Sequence, residues 1–179
     1  MCSELTSWEK AVDFHGHACP GLAVGYRAAE AALNVIGSQR DVDEELVAIV
    51  ENDSCSVDAI QSVFSCTVGK GNMIFSNTGK QVFTIGSRKT GKAVRVALKF
   101  NAFDKPAGSK EDKMNQILES PIDELFDIRE TELALPQKAR LFQTLQCTGC
   151  GEGVMESKAR LQEGKVVCPA CAGEYTRGW

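Results

Sequence analysis

Reactive chemistry in this chain is concentrated in its cysteines and histidines. Four cysteines stand near the C-terminus, as Cys147-Thr148-Gly149-Cys150 and, seventeen residues later, Cys168-Pro169-Ala170-Cys171. Two C-x-x-C pairs at that separation have the spacing of a four-thiolate zinc site. A tetrahedral zinc ion takes four soft donors at about 2.3 Å, and two tight turns deliver two thiolates each. Gly149, Gly151 and Pro169 suit such turns, since they permit or fix backbone angles that other residues resist. Iron on the same four sulfurs is the alternative, because spacing does not choose the metal.

A second cluster lies near the other end, Phe14-His15-Gly16-His17-Ala18-Cys19-Pro20-Gly21, and contains the only two histidines of the chain. Alternating residues of an extended stretch share a face, so His15, His17 and Cys19 can point together. Imidazole and thiolate both ligate zinc and related metals. Cys19 precedes Pro20 and falls at the N-cap of a helix, where free amides and the helix dipole favour negative charge. Cys55 ends the segment Asn52-Asp53-Ser54 and opens another helix, so the two cysteines can converge at one edge of a sheet. Asp53 and Asp58 are carboxylates able to orient a histidine through its second nitrogen or to accept a proton. The competing reading of any free cysteine is a small buried apolar residue. It is the one adopted for Cys66, late in a helix, while Cys2 is read as a terminal residue without a role.

These groups need elements to hold them. Pro20 opens and Gly37 closes a helix over 20–36, with Leu22, Ala29, Ala32, Leu33 and Ile36 at helical spacing. Leu46 to Val50 is a short apolar run and predicts a buried strand, followed by a helix over 56–66. Strands are predicted over 72–76, 81–86 and 93–100, with Thr78-Gly79-Lys80 and Thr90-Gly91-Lys92 as turns. Asn101 to Ser109, with Pro106, reads as a loop. A helix over 110–119, a short helix from Pro121 and a strand over 126–130 complete the first region. Residues 135–140 read as a linker. This order of elements predicts an α+β fold, an N-terminal mixed sheet with packed helices plus a small C-terminal zinc ribbon. The expected domains are 1–135 and 141–179. The second is too small to hold a core without a metal or disulfides.

Bulk composition narrows the function. The net charge of −4 over 179 residues gives no general attraction to nucleic acid or anionic membranes. No run of about 18 apolar residues exists, so no transmembrane helix is expected. Met1-Cys2-Ser3-Glu4-Leu5 does not read as a secretory leader, which points to the cytoplasm and to metal or redox use of the cysteines. Gly69-Lys70-Gly71-Asn72 lacks the phosphate-loop pattern and reads as a turn, with Lys70 available near an anionic ligand. Arg88, Lys89, Lys92, Arg95 and Lys99 form a basic stripe that reads as a solvated sheet face. In the ribbon, Lys158, Arg160, Lys165 and Arg177 are diluted by glutamates, so nucleic acid is not an expected partner.

With these residues in view, the sequence resembles the FmdE-like family, which takes its name from formylmethanofuran dehydrogenase. The likeness runs through Phe14 to Gly21, Gly25-Tyr26-Arg27, Glu51 to Cys55, Val57 to Gln61 and Cys66 to Asn72, roughly residues 8–130, with the ribbon as an attachment. The resemblance implies an α+β domain paired as a homodimer, with a metal-associated cleft at the His/Cys motif. It implies His17, Cys19 and Cys55 as metal ligands, with His15 beside them. It also implies association with molybdenum or tungsten oxidoreductase subunits of one-carbon metabolism. No residues for a pterin cofactor are identified, so the resemblance does not make this chain a dehydrogenase.

Three readings follow. In the first, the ribbon holds a structural zinc on Cys147, Cys150, Cys168 and Cys171. A second ion, zinc by donor type, occupies a more open N-terminal site. In the second, Cys19 attacks and Cys55 resolves as a thiol-redox pair. In the third, the ribbon is the contact module of a regulatory protein.

Overall fold

The computed structural model describes residues 7–37, 40–103, 108–132 and 135–174. The expectations for Cys2, Pro106 and Arg177 lie outside these residues. The chain divides into two compact units, Met1–Ala139 and Arg140–Trp179.

The first unit opens with helix α1 (Ser7–His15), an element beyond those expected from the sequence. Gly16, at φ +91°, turns the chain out of it. Helix α2 (Pro20–Ile36) follows. Its N-cap is Cys19, whose Sγ accepts the Leu22 N–H at 3.3 Å. Gly37 closes the helix in the left-handed conformation (φ 59°), and its N–H donates to the Leu33 carbonyl. Next come β1 (Leu46–Val50), α3 (Ser56–Phe64), β2 (Met73–Phe75), β3 (Val82–Ser87) and β4 (Ala93–Leu98). The unit closes with α4 (Lys110–Glu119), α5 (Ile122–Leu125) and β5 (Phe126–Thr131). Helix α3 stops earlier than the sequence pattern predicts because Ser65 enters the left-handed region (φ 58°) and its N–H bonds Gln61 O.

The five strands form one mixed sheet in the order β2-β1-β3-β4-β5. β1 and β2 run parallel, and the remaining neighbours are antiparallel. The α+β class is thus observed. Phe83, Ile85, Val94 and Val96 of the sheet pack with Phe64 and Ile60 of α3 and the alanine-rich face of α2. That face is small for a reason. A Cβ on Gly25 would lie 2.0 Å from the Ser56 carbonyl oxygen, so only glycine lets α2 and α3 approach this closely.

Polar residues pin the loops. Asp41 is buried and accepts from Leu46 N–H, the Asn72 amide and the Lys70 ammonium. Lys70 therefore serves an internal carboxylate rather than an anionic ligand. Arg95 of the basic stripe is bonded to Glu51 at 3.0 Å, so it is not simply solvated.

The second unit is two hairpins and a short helix. β6 (Thr144–Gln146) pairs with β7 (Gly153–Met155), and β8 (Arg160–Gln162) with β9 (Lys165–Val167). A 3-10 turn covers Glu156–Lys158, and α6 spans Pro169–Ala172. Among the described residues no helix is long and apolar enough to cross a membrane.

Candidate metal centres

The ribbon brings Cys147, Cys150, Cys168 and Cys171 together, with all four sulfurs within 4.8 Å of one another. Cys147 and Cys150 sit on the turn between β6 and β7, and Cys168 caps α6. Backbone donors aim at the cluster, among them the Cys168 N–H, which donates to Cys147 Sγ at 3.2 Å. The N–H groups of Cys150 and Cys168 hold the Cys147 thiol down at about 6. The Cys171 thiol is pushed up to about 12 by its sulfur neighbours, Cys168 foremost. Four sulfurs so placed ionise together only around a cation. The donor set fits zinc, which four thiolates satisfy completely.

The first unit builds its centre from distant pieces. The ligand atoms of His15, Cys19 and Cys55 lie within 4.8 Å of one another. His15 ends α1, Cys19 caps α2 and Cys55 precedes α3. Their meeting depends on the same close approach of α2 and α3. A Cβ on Gly21 would stand 3.2 Å from the Cys55 Cβ. The loop before Cys55 is tied down by Asn52. Its side-chain oxygen accepts from the Ser54 N–H and from the Ser54 and Ser56 hydroxyls, and its amide donates to Lys80 O. Gln81 fastens the hydroxyls of Ser54 and Ser56 from the neighbouring strand.

The imidazole of His15 is held on both sides. Its Nδ1 is 2.7 Å from Asp58 Oδ2, and its Nε2 is 3.8 Å from Cys19 Sγ. Gln61 donates to the other Asp58 oxygen at 3.3 Å. A carboxylate on one ring nitrogen leaves the other free to ligate, the usual support of a metal-bound histidine. Burial, then the nearby Cys19 sulfur, pushes the Cys55 thiol up. A cation among these donors removes that penalty.

His17 lies outside this group of three. It is exposed, and its ring stands 4.6 Å from that of His15, centroid to centroid. Alternation would put residues 15 and 17 on one face only in an extended segment. His15 instead belongs to a helix, and Gly16 reverses the chain, so the two do not share a face. Of the two carboxylates available for orienting a histidine, Asp58 is the one that does so. Cys66 is fully buried, and burial pushes its thiol up to about 12, which suits core packing.

Comparison with known proteins agrees with these two units. The family described as FmdE, molybdenum formylmethanofuran dehydrogenase operon, matches residues 14–135. The chain belongs to the FmdE family. The prokaryotic dksA/traR C4-type zinc finger matches residues 140–177, so this FmdE protein binds zinc at its C-terminal ribbon. A curated relative from Archaeoglobus fulgidus, a probable S-adenosyl-L-methionine-binding protein, is 32% identical over 196 residues. That match takes in 93% of this chain and 52% of the relative, so the chain spans about half the length of the curated relative it matches. A solved structure, an FmdE-like protein of tungsten formylmethanofuran dehydrogenase from Syntrophus aciditrophicus, superposes with a TM-score of 0.71. It is 24% identical, covering 92% of this chain and 89% of that one, a likeness of fold.

Proposed function

We propose that the FmdE unit is a second metal centre, in which His15 Nε2, Cys19 Sγ and Cys55 Sγ hold one ion and leave a coordination position open. The observation that carries this reading is the Asp58–His15 contact at 2.7 Å beside two sulfurs in ligand range. A soft divalent ion, zinc foremost, fits one imidazole and two thiolates, and it would supply Lewis acidity at the open position. The chain's own residues do the rest. Asp58 orients His15, and Asn52 with Gln81 fixes the loop that presents Cys55. His17, exposed beside the centre, is placed to contact whatever enters or to complete the shell.

The proposed setting is the cytoplasm, where thiolates stay reduced. There the protein serves molybdenum or tungsten one-carbon metabolism, as an accessory of a formylmethanofuran dehydrogenase-type oxidoreductase. The family assignment supports that setting, and co-purification with such an oxidoreductase tests it.

Cobalt(II) loading tests the centre itself. The full chain should show two spectrally distinct thiolate–cobalt sites, with one lost in the Cys19→Ala/Cys55→Ala double variant. The proximity of the two sulfurs also suits a thiol-redox pair. That reading predicts a single cobalt site in both proteins and a Cys19–Cys55 disulfide after mild oxidation.

A further inference from the structure

β5 is the outermost strand of its sheet and pairs only with β4 among the described residues. Two bonds show which of its backbone groups face outward. Leu98 N–H donates to Gln81 O, and Lys99 N–H to Leu125 O, each at 2.9 Å. Leu98 therefore bonds toward β3 and Lys99 toward β5. Because bonding direction alternates along an antiparallel ladder, Asp127, Arg129 and Thr131 turn their backbone groups toward β4. Ile128 and Glu130 turn theirs to the open edge, as does the Phe126 carbonyl. The Phe126 N–H is already used by Ile122 O.

The side chains along this edge are unsettled in a patterned way. Ile128 lies opposite the fully buried Val96, on the core face, yet is 37% exposed. Asp127 and Arg129 lie on the other face. Both are exposed, and neither makes an ion pair or hydrogen bond among the described residues. Arg129 stands directly opposite Arg95, a like-charge pair across the strands. Such a pair is unfavourable, and Arg95 already has Glu51 as its partner.

We propose that β5 is a dimerisation edge, on which the β5 of a second copy pairs antiparallel about a two-fold axis at Ile128. The free backbone groups of Ile128 and Glu130 then bond across the new seam. The two isoleucines meet on the core face. On the opposite face Asp127 of each chain meets the other copy's Arg129, which also relieves the repulsion from Arg95. Charge selects this register. A shift of two residues sets Asp127 against Asp127 or Arg129 against Arg129, and a shift of one sets inward-bonded groups against outward ones. Charged residues often guard edge strands against pairing. Here they guard against the wrong registers and complement the right one.

Sedimentation of the full, metal-loaded chain tests this. The expected species has twice the 19.4 kDa chain mass. Asp127→Arg and Arg129→Asp each replace two attractions by two repulsions and should weaken self-association by roughly tenfold or more. The double variant D127R/R129D exchanges the charges and should restore the dimer. Unchanged metal content and circular dichroism confirm that the variants fold. A wild-type chain that stays monomeric throughout the concentration range overturns the proposal. So does a dimer indifferent to both single reversals, or a swap that fails to restore association.

Discussion

The two sulfur clusters of this protein solve one problem in opposite ways. The ribbon takes four donors of one kind from two short turns, Cys147–Cys150 and Cys168–Cys171. Each turn presents its sulfurs by local geometry, so little surrounding fold is needed, and the metal holds the unit together. The FmdE unit takes three donors from the ends of three helices, with His15 and Cys55 far apart in sequence. There the fold comes first and the ligand set is its product. A complete shell of four thiolates is a structural device, whereas one imidazole and two thiolates leave room for chemistry.

If metal makes the ribbon but not the FmdE unit, stripping all metal should separate them. Zinc binding to such knuckles contributes on the order of 10 kcal/mol to folding. Chelation should therefore abolish amide-exchange protection in β6 to β9 while β1, β3 and β4 keep theirs. Exchange mass spectrometry reads both in one experiment. Equal loss in the two units would erase the contrast.

The reverse dependence is sharpened at Gly25. Gly25→Ala puts a methyl group where the Ser56 carbonyl now sits, so α2 and α3 must part. The cost expected is about 1–3 kcal/mol of urea-unfolding stability. The metal of the FmdE unit should fall with it while the ribbon zinc stays. A smaller and more selective effect is expected from Asp58→Asn, which keeps the shape but removes the charge facing His15. Metal affinity at that centre should drop about 10–100-fold, with unfolding of the metal-free protein nearly unchanged.

Acid should also part the two centres, by a smaller margin. The Cys55 thiol is pushed up, so it takes a proton at higher pH than an ordinary cysteine. Cys147, held at about 6, resists protonation longest. On acidification the metal of the FmdE unit should leave first, followed by the ribbon zinc, as a chromophoric zinc indicator would record. Simultaneous release would remove this distinction.

The same contrast governs what the sequence discloses. The ribbon is legible because both pairs of ligands lie within a single turn, where spacing alone carries the geometry. The α2 boundaries are legible from Pro20 and Gly37, which act locally at the two ends of the helix. Cys19 at the N-cap follows from Pro20. The choice of His15 over His17 for the three-donor cluster is not legible. It turns on α1 continuing to residue 15 and on Gly16 at positive φ, and both depend on how α1 packs. Helix α1 itself has Trp8, Ala11, Val12 and His15 at helical spacing, a signal that is present but short. Asp58 is visible as a nearby carboxylate, but its selection over Asp53 needs the turn of α3 that points it at His15. The pairing of Lys70 with Asp41 joins loops far apart in the chain, and composition does not encode it.

Metal content per chain is the most direct test of the central claim that this protein carries two separate centres. Mass spectrometry of the native, metal-loaded chain should find about two ions, and about one in Cys19→Ala/Cys55→Ala with the ribbon still folded. About one ion in both proteins would contradict the account and leave Cys19 and Cys55 as a thiol pair.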